Sequence, residues 1–113
     1  MRYNCKITRV VDGDTLDCII DLGFNITIKQ RIRMYGINSP ESRTTDLKEK
    51  EKGIAAKNRL EQLLKDNDYD CVLKSYGVGK FGRCLGEIFI DKVNINNQLI
   101  EEGWGKPYFG GKR

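Results

Sequence analysis

The chain has 113 residues, a length that predicts one domain over residues 1–113, because it can close one core but not two. Hydrophobic residues make up 39% and charged residues 32%, which excludes a disordered or membrane-spanning chain. The net charge of +4 gives a mild attraction to polyanions, and the absence of histidine excludes mechanisms in which an imidazole moves a proton.

The first part of the chain predicts three strands, over Cys5 to Val11, Thr15 to Leu22 and Phe24 to Ile37. Asp12-Gly13 predicts a hairpin between the first two strands, with glycine supplying the positive φ of a tight turn. Alternation along the third strand predicts two faces. The core face contains Phe24, Ile26, Ile28, Ile32 and Met34. The solvent face contains Lys29, Arg31, Arg33 and Tyr35.

Residues 42–52 are polar and lack apolar periodicity, so we expect an exposed loop there. A helix is predicted from Gly53 to Lys65, where the apolar residues recur at helical spacing, and Asp66-Asn67 ends it.

Two further strands are predicted over Tyr69 to Tyr76 and Cys84 to Ile90, joined by a glycine-rich loop. A short helix from Asn96 to Glu102 ends at Gly103, a favoured residue just past a helix. This order of elements predicts a mainly β protein of the α+β class: a five-stranded OB-fold barrel with one inserted helix and a short C-terminal helix.

Four cysteines occur without a C-x-x-C pair, at Cys5, Cys18, Cys71 and Cys84. We expect them to be reduced, half-buried strand residues; the alternative is a disulfide between Cys71 and Cys84. The first residues lack the apolar core of a signal peptide, and the chain lacks a membrane-length apolar run. We therefore expect an intracellular monomer with no membrane partner.

Three polar clusters each have a structural interpretation beside a functional one. Asp12-Gly13-Asp14-Thr15 is typical of a turn with side-chain to backbone bonds. Asn38-Ser39-Pro40-Glu41 resembles the entry to a helix, and Gly79-Lys80-Phe81-Gly82-Arg83 resembles a hairpin loop.

Taken together, these clusters contain the parts that phosphodiester cleavage requires. Asp14, Asn38 and the Ser39 carbonyl are oxygen ligands for a hard cation such as Ca²⁺. Glu41 is a carboxylate that can act as a base, and Arg33 and Arg83 can stabilise charge on a phosphoryl group.

The order and spacing of these motifs, over nearly the whole chain, resemble the staphylococcal nuclease (thermonuclease) family. The resemblance implies calcium-dependent cleavage of DNA or RNA at the P–O5′ bond, leaving 3′-phosphate ends. It implies that Asp14, Asn38 and the Ser39 carbonyl bind Ca²⁺, that Glu41 is the general base, and that Arg33 and Arg83 hold the phosphate.

The resemblance also implies roles for residues around the metal ligands and the phosphate-binding arginines. Asp12 and Thr15 match residues that surround the metal ligands. Lys80 and Phe81 fall in the substrate-binding loop, with Phe81 in place of a tyrosine near the 5′-phosphate. Tyr108 or Phe109 approximates a tail aromatic that contacts the base, although a frayed terminus is the alternative for this segment.

Asn38 departs from the family pattern, because the best-known member has aspartate at this position. Since ligand charge tunes calcium affinity, we expect a weaker site. The tail also ends without the C-terminal helix of longer relatives, so we expect it to be free or packed differently. The competing hypothesis is a catalytically silent OB-fold module that binds single-stranded nucleic acid or a protein, but Glu41 beside a phosphate site argues against it.

Overall fold

The computed structural model describes residues 1–78 and 82–109. The elements in chain order are β1 (Arg2–Asp12), β2 (Thr15–Asp21), β3 (Thr27–Met34), β4 (Gly36–Asn38), α1 (Leu47–Lys65), β5 (Asp70–Val78), β6 (Cys84–Ile90), β7 (Val93–Asn94), α2 (Ile95–Glu101) and β8 (Lys106–Tyr108). The main sheet has the order β3-β2-β1-β5-β6-β7, and a parallel pairing of β3 with β6 closes its first five strands into a barrel. The predicted OB-type barrel is therefore confirmed.

The core lies inside this barrel and under α1. Alternation in the sequence predicts one buried face for Leu16, Cys18, Ile20 and Leu22. The first three point inward from β2, whereas Leu22 lies beyond the end of that strand and is 42% exposed. The helix contributes a buried stripe of Ala56, Leu60 and Leu64, so burial of this stripe attaches α1 to the barrel. No helix in the described ranges combines the length and apolar character needed to cross a bilayer.

The third predicted strand is wrong at both ends, because β3 ends at Met34 and Gly36–Asn38 is the separate strand β4. Its faces are confirmed in part: Ile32 and Met34 are buried, and Lys29, Arg31 and Tyr35 are exposed. Phe24 and Asn25 have φ values of 55° and 61° and belong to the turn, so β3 begins only at Thr27. Phe24 is 97% exposed, and the exposed side chains also include those of Ile26 and Ile28, while Arg33 is buried. The reason is that β3 meets β6 only over Ile32–Met34, so its first half extends beyond the barrel.

Helix α1 is longer than predicted, because Leu47–Lys52 belongs to it rather than to an exposed loop. The Asp46 carboxylate caps its first turn by accepting hydrogen bonds from the backbone N–H groups of Lys48 and Glu49 at 3.1 and 3.3 Å. Periodicity missed these turns because residues 47–52 are all exposed. The predicted end is confirmed, with Asp66 as the C-cap.

The four cysteines are free and buried in strands. The strand register pairs Cys71 with Cys5 and sets Cys84 opposite Val78, so it does not bring Cys71 and Cys84 together. Hydrogen bonds to the Cys5 thiol, together with burial, raise the pKa of Cys18 and Cys71, and both stay protonated at neutral pH.

Candidate active site

The predicted hairpin at Asp12-Gly13 is present, since Asp12 ends β1 opposite Thr15 of β2. Gly13 is not among the residues with positive φ, so that expectation is wrong. Close packing explains the glycine instead, because a methyl group at Gly13 would lie 2.8 Å from Cβ of Ala56 and 3.0 Å from the Ser39 side chain. The turn thus packs directly on α1 and on the segment after β4.

Asp14 is the residue on which the predicted cluster converges, and its side chain is buried. Its Oδ1 accepts a hydrogen bond from the Thr15 hydroxyl at 2.9 Å, and its Oδ2 accepts one from the Ser39 backbone N–H at 2.9 Å. Nη2 of Arg33 lies 3.6 Å from the same Oδ2. Three distant parts of the sequence therefore meet at one carboxylate.

Arg33 is held in place by main-chain oxygens. Its Nη1 donates to the carbonyls of Met34 and Ile37 at 2.8 and 2.7 Å, and its guanidinium carbon lies 5.9 Å from the centroid of the Tyr108 ring. These partners, with Asp14, explain why a residue predicted to face solvent is only 8% exposed. The orientation of the guanidinium is fixed before any substrate arrives.

Asn38 ends β4, and the segment from Ser39 to Glu41 is a loop after it and not a helix entry, since α1 begins at Leu47. Asn38 is half-buried and Ser39 is buried. Glu41 is exposed, and its carboxylate makes no hydrogen bond or ion pair with the described residues. Its oxygens are therefore open to solvent.

Two contacts that sequence reasoning missed hold the Glu41 loop. The Asp12 carboxylate accepts hydrogen bonds from the Ser42 hydroxyl and, at 3.3 Å, from the Ser42 backbone N–H. On the other side, a methyl group at Gly53 of α1 would lie 2.3 Å from the carbonyl oxygen of Glu41. A glycine inside a helix is the sequence signal for such close approach, but the predicted helix began at Gly53 and hid it.

Arg83 precedes β6 and is half-buried. The parallel pairing of β3 and β6 sets Arg33 opposite Leu85, so the strand that carries Arg33 runs beside the strand that begins directly after Arg83. Lys80 and Phe81, both assigned to substrate binding from the resemblance, lie outside the described residues.

The tail segment is a strand rather than a frayed end through Tyr108. β8 pairs antiparallel with β4, with Tyr108 opposite Gly36. Tyr108 faces Arg33, and Phe109 is 72% exposed with its ring against that of Tyr35. Both predicted tail aromatics therefore lie at the edge of the cluster.

The atoms that could bind a metal ion around Asp14 are oxygens. Within residues 1–78 and 82–109, no three His, Cys, Asp or Glu side chains are grouped as ligands. The Asp14 carboxylate and Ser39 are joined by a hydrogen bond, and Asn38 precedes Ser39 at the end of β4, so the candidate donors are the oxygens of these three residues. The Ser39 hydroxyl is buried, and the described part of the chain offers it no hydrogen-bond partner.

Comparison with known proteins shows the family to which the chain is similar. The family described as Staphylococcal nuclease homologue matches residues 31–112. An "Uncharacterized endonuclease" of Haemophilus influenzae is 26% identical over 95% of this chain and 53% of its own length. A "Thermonuclease" of Staphylococcus hyicus is 26% identical over 92% of this chain and 59% of its own length.

A "Probable staphylococcal-like nuclease" of Oryza sativa subsp. japonica is 32% identical over 71% of this chain and 22% of its own length. The chain thus spans little more than half the length of the first two relatives. The family match covers well over half of the chain and includes Arg33, the Glu41 loop and Arg83. The chain belongs to the staphylococcal nuclease family.

Proposed function

We propose that this chain is a calcium-dependent nuclease that hydrolyses the P–O5′ bond of DNA, RNA or both and leaves 3′-phosphate ends. The observation that carries the proposal is the convergence on Asp14, which contacts the Ser39 backbone at 2.9 Å and Arg33 at 3.6 Å. A cation-binding carboxylate and a phosphate-binding arginine thereby lie next to the segment that carries Glu41. The names of the endonuclease and thermonuclease relatives support the same reaction class.

The donor set fits a hard cation. Asp14, Asn38 and Ser39 would hold Ca²⁺, which prefers oxygen ligands, and the buried Ser39 hydroxyl without a described partner is a group that a cation would satisfy. A bound Ca²⁺ would supply a Lewis acid for the phosphate oxygens. Only one carboxylate is available in this set, and Arg33 already shares it, so we expect weak calcium affinity.

Glu41 is proposed as the general base. Its exposed carboxylate accepts a proton from a water molecule whose oxygen attacks phosphorus. The bond from phosphorus to the 5′ oxygen then breaks, and the departing oxygen takes a proton from solvent to become a 5′-hydroxyl group. Such a base typically contributes about 10²- to 10⁴-fold in rate. The Asp12–Ser42 hydrogen bonds and the contact with Gly53 limit the movement of the loop that carries it.

Arg33 and Arg83 are proposed to bind the phosphate and to stabilise the negative charge that develops on it. The two carbonyls that hold Nη1 of Arg33 set its direction, so little reorganisation accompanies the reaction. An arginine in this role typically contributes about 10³- to 10⁵-fold in rate.

The test is cleavage of end-labelled single-stranded DNA, duplex DNA and RNA across a calcium titration, with a chelator as control. Glu41→Gln should lower the rate about 10²- to 10⁴-fold. Glu51→Gln, on the exposed face of α1, makes the same charge change and should stay within about twofold. Cleavage that survives the chelator or the Glu41→Gln change would contradict the proposal, and binding without cleavage at any calcium level would favour the silent module.

A further inference from the structure

A buried amide side chain on α2, that of Asn96, joins this helix to β6 and to the turn between β3 and β4. Its Nδ2 donates to the Tyr35 carbonyl at 2.7 Å and to the Gly86 carbonyl at 3.1 Å. Its Oδ1 accepts from the backbone N–H of Ile88 at 3.1 Å. Asn96 is 1% exposed, so these main-chain partners replace water at both ends of its amide.

The turn that Asn96 holds is also the turn that holds Arg33. Tyr35 is the single residue between β3 and β4. Nη1 of Arg33 donates to the Met34 carbonyl just before it and to the Ile37 carbonyl two residues after it, at 2.8 and 2.7 Å. The Tyr35 carbonyl lies between these two in the chain and accepts from Asn96 instead. Two buried side chains thus supply the donors for the carbonyls of one turn.

Asn96 restricts a peptide group whose own backbone is flexible. The Tyr35 carbonyl belongs to the peptide unit that ends at Gly36, whose φ is 81°. Glycine adopts many backbone conformations, so the local sequence does not fix the orientation of this unit. If the unit rotates, the two carbonyls that accept from Arg33 change their separation, and one Nη1 atom can no longer contact both. The hydrogen bond from Asn96 opposes this rotation.

Asn96 also fixes the turn relative to β6. The Gly86 carbonyl accepts from the Asn96 amide and, at 2.7 Å, from the Tyr35 backbone N–H. Arg83 lies directly before this strand. One side chain therefore secures the turn that directs Arg33 against the strand that follows Arg83.

We propose that Asn96 is a positioning residue for Arg33, because it holds the turn whose carbonyls direct the guanidinium. This rests on the proposed nuclease function, in which Arg33 stabilises the charge that develops on the phosphate. Asn96→Ala should lower kcat about 10- to 10²-fold, since a displacement of about 1 Å in a group that acts on the transition state has an effect of this size. KM should change by less than about threefold, because the loss falls on the transition state.

A double-mutant cycle tests whether Asn96 acts through Arg33. The change Asn96→Ala is made in the wild type and in Arg33→Ala, and cleavage of an end-labelled single-stranded DNA is followed at saturating Ca²⁺, with long incubations for the slow variants. Urea unfolding first identifies a temperature at which all four proteins are folded. In the Arg33→Ala background, loss of Asn96 should lower kcat less than about twofold. Equal losses in the two backgrounds would overturn the proposal.

A second measurement does not depend on cleavage. A guanidinium held by two carbonyls rotates slowly, so its Nη hydrogens give separate NMR signals at low temperature, and Arg33→Ala identifies these signals by their loss. They should be separate in the wild type and merge in Asn96→Ala. Separate signals in Asn96→Ala would overturn the proposal. If urea unfolding shows that Asn96→Ala does not fold, Asn96→Leu takes its place, because it fills nearly the same space without a hydrogen-bonding group.

Asn94→Ala is the matched control on the same helix. The Asn94 side chain caps α2 by accepting from the Asn97 backbone N–H at 3.1 Å, so its loss weakens the helix without removing a hydrogen bond to the turn. It should keep kcat within about twofold and the Nη signals separate. A fall in kcat equal to that of Asn96→Ala would assign the effect to helix stability and overturn the proposal. A wild type that cleaves no nucleic acid would instead reject the nuclease function, whatever the Arg33 signals show.

Discussion

Gly53 of α1 and the backbone of Glu41 lie so close that no side chain fits between them: a methyl group at position 53 would be 2.3 Å from the Glu41 carbonyl oxygen and 2.6 Å from the Ser42 nitrogen. The helix thus serves as a support against which the loop carrying the proposed base rests. This contact links the packing of the fold to the position of the proposed base.

The first prediction concerns Gly53→Ala. In a helix interior this change ordinarily stabilises a protein by about 1 kcal/mol, but here we expect destabilisation by about 1–3 kcal/mol because the loop must move. Displacement of Glu41 should lower kcat about 10²-fold. Denaturant unfolding and steady-state cleavage check both effects. Ile54→Ala on the exposed side is the control, and a stabilised, fully active Gly53→Ala protein would show that the contact is unimportant.

The second prediction separates two roles for Asp12. The resemblance places Asp12 around the metal ligands, whereas the structure bonds it to Ser42. Ser42→Ala removes the hydroxyl donor from a half-buried acceptor, so we expect a loss of about 1–3 kcal/mol in stability and about tenfold in kcat. The calcium midpoint should not change. Thr45→Ala in the same loop is the control, and a shifted midpoint would instead support a role near the metal.

The third prediction concerns the ligand charge at position 38. Asn38→Asp adds a second carboxylate beside Asp14, so the calcium concentration for half-maximal cleavage should fall by roughly tenfold. A calcium titration of the cleavage rate measures this. Asn38→Ala, which removes the oxygen donor, should raise the midpoint, and an unchanged midpoint in both variants would place the ion elsewhere.

The fourth prediction concerns pH and the contact between the two helices. Hydrogen bonds from Arg59, Gln98 and Trp104 lower the pKa of Glu102 to about 2 from its ordinary value of 4.5. Because the folded-state pKa is the lower one, this stabilisation is present above about pH 4.5 and is lost as the pH falls toward 2.

Glu102→Gln should therefore cost about 0.5–1 kcal/mol at neutral pH, the range of a partly exposed ion pair. Urea unfolding of both proteins at several pH values should show this difference shrinking below about pH 4.5. A difference that stays constant down to the acid limit would assign it to packing instead of charge.

Local patterns in the sequence predicted much of the fold. Alternation identified β2 and its buried Leu16 and Cys18, helical spacing identified the stripe on α1, and Gly103 marked the end of α2. The start of α1 was missed because residues 47–52 are exposed and show no apolar periodicity, so the Asp46 cap is the local signal for it.

The candidate site forms from residues that are far apart in the sequence, and local sequence patterns do not predict which of these come into contact. Motif order was sufficient to expect Asp14, Asn38 and Ser39 in one place, and the structure joins Asp14 to the Ser39 backbone N–H, next to Asn38 in the chain. Alternation assigned Arg33 to solvent because it cannot foresee that backbone carbonyls and Asp14 supply partners for a buried guanidinium. The role of Gly53 likewise depends on a loop that only the tertiary structure places against it.

The central claim is that water attacks phosphorus in this site and the P–O5′ bond breaks. Cleavage of a defined DNA oligonucleotide in ¹⁸O-labelled water with Ca²⁺, followed by mass spectrometry of the fragments, tests it most directly. The account predicts fragments with a 3′-phosphate that carries one ¹⁸O atom and partners with a 5′-hydroxyl. Fragments with 5′-phosphate and 3′-hydroxyl ends, or an intact oligonucleotide at every calcium concentration, would contradict it.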